Sequence, residues 1–220
     1  MNWQTSKFAE ALAYAAEIHR EQLRKRPKSS MAIDVKIPVP YMGHLLGVSS
    51  IVIDAGGTQD EAIAALLHDA AEDQGGEARL ADIADRFGLP VATIVKGCSD
   101  SLSADPHHKA PWRERKTRYM AHLTASTDAS VYLVSAADKC QNARATSRDL
   151  AFAAQAIDVW SMFNAPPAST LWYYDQLIEV YDRGPIDGRR DLIVSDLRIA
   201  VAEMRHFAPD DSAEEDETPF

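Results

Sequence analysis

The sequence has almost no cysteine. Its two thiols in 220 residues, Cys98 and Cys140, exclude a disulfide framework and suit a reducing compartment. No apolar run approaches the ~18–20 residues of a membrane span, and the opening MNWQTSKFAE lacks a signal-peptide layout. A cytoplasmic protein without membrane partners is therefore expected. The chain has no glycine-rich phosphate loop, no internal repeat, and no alternating strand pattern flanked by hairpin turns. Positive charge is also scarce. The 23 Lys and Arg face 33 Asp and Glu, for a net charge of −10, and no dense basic stripe exists, which argues against nucleic acid as a partner. Six of those acids, and no bases, fall between Asp210 and Glu217, leaving −4 for the remainder. Residues 209–220 are accordingly expected to be a disordered acidic tail.

What is present reads as one helical domain. A hydrophobic fraction of 46% and a charged fraction of 25% are ordinary for a globular chain, and this length buries a core without covalent staples. Phe8, Leu12, Ala15, Ala16, His19 and Leu23 share one helical face. Pro27, Pro38 and Pro40 then interrupt regular structure. Helical spacing resumes over Tyr41–Ala55, ended by Gly56-Gly57, and Thr58 with Glu61 forms a capping box for the run Ile63, Leu66, Leu67, Ala70. Shorter helices are expected at Leu80–Phe87 and Val91–Cys98, and longer ones at Trp112–Leu123 and Ala129–Arg144. Three more follow at Ala151–Phe163, Ser169–Tyr181 and Arg189–Met204. The expected fold class is all-α.

The chemistry-bearing residues lie in separated pieces. In Leu67-His68-Asp69-Ala70-Ala71-Glu72-Asp73 an apolar helix runs into one imidazole and three carboxylates. On a continuous helix His68 and Glu72, and Asp69 and Asp73, are four apart and share a face. Acids at a helix C-terminus oppose the macrodipole, so a positive group such as a metal ion is expected to offset them; an exposed acidic helix end is the plainer alternative. His44 opens an apolar face and, taken alone, reads more readily as a core histidine than as a ligand. Asp138 follows the buried-looking Val131–Ala137 and must be paired, with Lys139, with an arginine or with a metal. Two imidazoles and two carboxylates together suit a divalent first-row metal. Five Lys or Arg between His19 and Lys28, and the group Arg113, Arg115, Lys116, Arg118, are either solvated faces or small anion sites. His107-His108 read as a polar loop, and Trp112, Trp160 and Trp172 as packing anchors.

The order His44…His68-Asp69…Asp138 resembles the HD-domain metal-dependent phosphohydrolases. It is most similar to the hydrolase domain of RelA/SpoT-type alarmone enzymes and to the stand-alone small alarmone hydrolases. Gln22-Leu23-Arg24-Lys25, Pro40-Tyr41-Met42-Gly43-His44, Ala64–Asp73 and Ala137-Asp138-Lys139-Cys140-Gln141-Asn142-Ala143-Arg144 carry the likeness, with Trp172-Tyr173-Tyr174 further on. The resemblance implies an HD core over about residues 5–150, with C-terminal helices completing a domain that spans 1–208. It implies a single metal, Mn2+, on His44, His68, Asp69 and Asp138. It also implies Glu72 and Asp73 as the catalytic pair, and Arg24, Lys25 and Asn142 as nucleotide contacts. The reaction implied is hydrolysis of the 3′-pyrophosphate of ppGpp or pppGpp to GDP or GTP and pyrophosphate, without synthesis. Leu45 departs from the family's usual proline, and Arg26–Val39 is longer than the family's loop. Hydrolysis of another nucleotide remains an alternative, as does a non-catalytic nucleotide-binding module.

Overall fold

Helices form where apolar residues recur at three- and four-residue spacing, and several of them end at glycine. The computed structural model describes residues 3, 5–25, 38–99, 110–153 and 159–209. The chain runs α1 (Thr5–Ile18), α2 (Met42–Asp54), α3 (Gln59–Leu67), α4 (Ala70–Asp73), α5 (Gly76–Phe87) and α6 (Leu89–Cys98). It continues with α7 (Trp112–Ala125), α8 (Ala129–Phe152), α9 (Pro167–Arg183) and α10 (Gly188–His206). Among the described residues there is no strand, only an isolated bridge between Leu23 and Pro40, and no helix long and apolar enough to cross a membrane. The expected loop at His107-His108, most of Arg26–Val39 and the acidic tail lie outside the described residues.

The stop and start signals act as the sequence predicts. Gly56 takes φ +84° at the end of α2, a backbone that glycine adopts without penalty, and Gly57 N–H bonds back to Val52 O at 2.8 Å. Thr58 accepts from Glu61 N–H while the Glu61 carboxylate accepts from Thr58 N–H, closing the capping box that opens α3. Every residue from Glu61 to Leu67 is buried, so α3 is a core helix, apolar all round apart from Glu61. Packing α2, α6 and α8 around it removes Val48, Val52, Ile63, Leu66, Val95 and Leu133 from water. Each fully buried aliphatic side chain contributes about 1.5–3 kcal/mol.

One expectation changes. Helix α8 does not stop at Arg144 but runs on to Phe152. Ala143, Thr146, Ser147 and Leu150 continue its buried stripe against α10, and Ser147 donates to Glu203 there. Polar residues between Gln141 and Arg148 mask this stripe in the sequence, because small hydroxyls are buried on it. The helix expected over Ala151–Phe163 falls partly on residues 154–158, outside the described residues; Phe152 ends α8, Ala153 is extended, Val159 and Trp160 are helical, and the chain then turns through 161–165.

Candidate metal centre and adjoining cavity

Three separate backbone devices bring the chemistry-bearing residues to one place. The bridge Leu23–Pro40, with Arg24 N–H to Val39 O and Tyr41 N–H to Gln22 O both at 2.9 Å, sets the end of α1 beside the start of α2. His44 therefore lies in the first turn of α2, next to Gln22 and Arg24. A break in the α3–α4 ladder presents His68 and Asp69, with Asp69 at φ −93°, ψ −5°, in the sparsely populated bridge region where many active-site residues sit. Asp138 projects from the middle of α8, after a segment buried from Val131 to Ala137.

Their donor atoms converge. His44 Nε2 is 3.3 Å from His68 Nε2, 3.6 Å from Asp69 Oδ2 and 3.3 Å from Asp138 Oδ1. His68 Nε2 is 3.0 Å from Asp69 Oδ2 and 3.5 Å from Asp138 Oδ1. Ligands held about 2.1 Å from one ion lie roughly 3.0–3.4 Å from one another, in octahedral or tetrahedral geometry. Three of the five observed separations fall in that range and the other two, 3.5 and 3.6 Å, lie just above it. His44, His68 and Asp69 thus form a possible divalent-metal site, and Asp138 adds a second carboxylate to both imidazoles.

The surroundings orient these donors. His68 Nδ1 is 2.9 Å from Ala65 O, an acceptor only, so Nδ1 carries the proton and Nε2 offers its lone pair inward. His44 Nδ1 is 2.6 Å from Gln141 Oε1 and is fixed in the same way. Asn142 Nδ2 donates to Asp138 Oδ1 at 2.6 Å, Lys139 donates to Asp138, and Tyr41 donates to Asp69. Burial alone would disfavour an imidazolium at His68, but Asp69 and Asp138 outweigh it and raise its pKa well above the usual range. Burial likewise opposes charge on Asp138, and Lys139 and His68 hold it well below the carboxylate range. Two carboxylates concentrated here require positive charge, which protonated imidazole or a bound cation supplies. Inward-facing Nε2 atoms 3.3 Å apart, each within 3.0–3.6 Å of both carboxylates, suit a shared cation.

A cavity of about 510 Å³ opens beside this cluster and is lined by Arg24, Lys25, Tyr41, Asp73, Lys139 and Asn142, among others. A second hollow of about 360 Å³ contains Asp69, Glu72, Asp73, Lys116 and Asp138. Asp69, Asp138 and the candidate catalytic acids thus line the smaller hollow and Arg24 and Lys25 the larger, with Asp73 and Asn142 common to both and His44 and His68 in neither wall. Arg24 reaches Gln141 Oε1 at 2.9 Å and Asn142 Oδ1 at 3.2 Å, and Gln22 Nε2 donates to Asp73 Oδ2 at 2.8 Å. Lys116 lines both hollows and Arg115 the smaller, whereas Arg113 stacks on the Trp172 ring at 3.8 Å. Trp112 both packs edge-on against Tyr173 and lines the cavity, so it is more than an anchor.

One sequence argument fails. Because the helix breaks at His68-Asp69, Glu72 and Asp73 stand in a separate four-residue helix rather than at the end of a long one. The macrodipole reasoning loses its premise there, and convergence with His44 and Asp138 is what marks the acids. Sequence reading named Lys139 as a partner for Asp138, as found, but missed Gln141 as an organiser of the centre. The only signal of Gln141 is its nearness to Asp138, which says nothing until α8 turns it towards His44.

A family profile described as HD domain matches residues 11–168. Guanosine-3′,5′-bis(diphosphate) 3′-pyrophosphohydrolase MESH1 of Drosophila melanogaster is 32% identical over 142 residues, covering 64% of this chain and 69% of that protein. MESH1 of Xenopus tropicalis is 34% identical over 150 residues, covering 67% and 74%. A solved structure, described as a metazoan ortholog of SpoT that hydrolyzes ppGpp and plays a role in starvation responses, superposes with a TM-score of 0.64. It covers 90% of this chain and 96% of its own at 24% identity, a likeness of fold. With its donor order, helical architecture and matched length, the chain belongs to the HD-domain family, among the MESH1-type stand-alone alarmone hydrolases.

Proposed function

We propose that this protein hydrolyses the 3′-pyrophosphate of ppGpp or pppGpp, releasing pyrophosphate and leaving GDP or GTP. His44, His68, Asp69 and Asp138 would hold one Mn2+ ion. The observation that carries the reading is the spacing of the four donor groups, 3.0–3.6 Å across the five measured pairs, beside a cavity lined by Arg24, Lys25 and Asn142. The relatives named above, which carry this activity in their names, support the substrate.

A divalent cation in this site supplies Lewis acidity towards a phosphoryl group and makes a nearby water more acidic. The protein supplies the rest. Glu72 or Asp73 accepts the proton of the attacking water, and the Gln22 amide holds Asp73 in place for that task. The water oxygen bonds to the phosphorus attached to the ribose 3′-oxygen, the bond between them breaks, and the 3′-oxygen takes up a proton. Arg24 and Lys25 bind the nucleotide, the guanidinium by its fork and the ammonium as a point charge. Asn142 contacts the ribose. Residues 167–206 contribute two helices, and hydrolysis without synthesis is the reading.

The test is metal dependence. Dialysis against a chelator is expected to abolish ppGpp hydrolysis, and Mn2+ to restore it. Undiminished hydrolysis after verified metal removal contradicts the proposal.

A further inference from the structure

Arg24 occupies an unusual position for a nucleotide-binding arginine, because its guanidinium is already engaged. One arm donates to Gln141 Oε1 at 2.9 Å and the other to Asn142 Oδ1 at 3.2 Å. Each of these carboxamides holds a metal donor at the same time. Gln141 Oε1 accepts from His44 Nδ1 at 2.6 Å, and Asn142 Nδ2 donates to Asp138 Oδ1 at 2.6 Å. The bond from Arg24 fixes which end of Asn142 is oxygen, and therefore that its N–H points at Asp138. It likewise turns the oxygen of Gln141 towards His44. Gln141 is pinned from its other side by α2, since a Cβ at Gly47 would stand 3.0 Å from its side chain. His68, by contrast, is oriented by a backbone carbonyl that no side chain controls.

We infer that Arg24 is a positioning residue of the metal centre, raising metal affinity before any nucleotide binds by fixing the two carboxamides that orient His44 and Asp138. The inference rests on the donor assignment proposed above but not on the substrate, so the two can fail separately. Its sign is diagnostic. Removing a cation near a dication site relieves repulsion, and electrostatics alone predicts tighter metal binding. Loss of donor orientation predicts weaker binding, since removing an outer partner of a ligand costs about 10–100-fold in affinity.

The experiment measures Mn2+ affinity of the full chain without nucleotide, by counting free Mn2+ in its paramagnetic resonance spectrum. Arg24→Ala is expected to weaken binding by about 3- to 10-fold, below the cost of direct loss because both carboxamides remain, and Gln141→Leu by about 10–100-fold. Arg24→Lys keeps the charge but not the fork, so it too is expected to weaken binding. It carries the test if Arg24→Ala does not fold. Lys25→Ala, which removes a neighbouring charge without touching either amide, is expected to leave affinity unchanged or slightly tighter. In the Gln141→Leu/Asn142→Ala background, Arg24→Ala is expected to cause no further loss. Wild-type or tighter Mn2+ binding in both Arg24 variants overturns the inference, as does an undiminished loss in the double background.

Discussion

His44 and Asp138 were each ambiguous as single letters. A histidine on an apolar face and an aspartate after a buried run both have ordinary structural explanations, and both are indeed buried. What separates them from core residues is their partners, since His44 Nε2 and Asp138 Oδ1 each lie among other candidate metal donors, Asp138 Oδ1 while also accepting from Asn142. Residue order made this legible only through the family likeness. Glu72 and Asp73 lie in the same hollow as Asp69 and Asp138 but outside the donor cluster. Glu72→Ala and Asp73→Ala are therefore expected to retain metal while losing about 10²–10⁴-fold in turnover, the scale of a positioned acid or base. Metal content and kcat for each variant check this. Near-normal turnover in both would remove them from the chemistry.

Among the elements, helix starts and stops were readable wherever glycine, proline or a capping residue punctuates them, as at Gly56 and Thr58. The break at His68-Asp69 was not readable, because no residue there is a breaker; tertiary contacts of the two side chains hold the backbone out of the ladder. The joint between α3, α8 and α10 was likewise hidden. Glu61 accepts from Ser130 at 2.8 Å and from Arg189 at 2.9 and 3.2 Å, in addition to capping α3. Burial would raise its pKa, but the Thr58 amide and the Arg189 and Ser130 bonds outweigh this and lower it. A lowered folded value means stabilisation that is complete above the unfolded value near pH ~4.3 and lost as pH falls through the folded one. Glu61→Gln should thus cost about 1–3 kcal/mol at pH 7. The difference from wild type should shrink below pH ~4 in denaturant titrations, and a pH-independent difference would refute the assignment. Gly184 is needed for space rather than conformation. A Cβ there would stand 2.1 Å from the Tyr132 ring, whose hydroxyl is tied to Leu123 O. Gly184→Ala is expected to destabilise by about 1–3 kcal/mol, measurable as a lowered denaturation midpoint.

For the whole molecule, composition and periodicity were enough to reach an all-α fold, and the ordered motifs named the residues on which the proposed site draws. Neither could give the shape of the cavity, which depends on how α7, α8 and α9 bring Trp112, Asn142 and Tyr173 together from distant parts of the chain. The central claim concerns chemistry at that cavity, and product identity tests it most directly. Mn2+-loaded protein incubated with ppGpp, with products separated by anion-exchange chromatography, is expected to yield GDP and pyrophosphate in equal amounts. Intact ppGpp under conditions where another nucleotide is cleaved, or orthophosphate released in place of pyrophosphate, would contradict it.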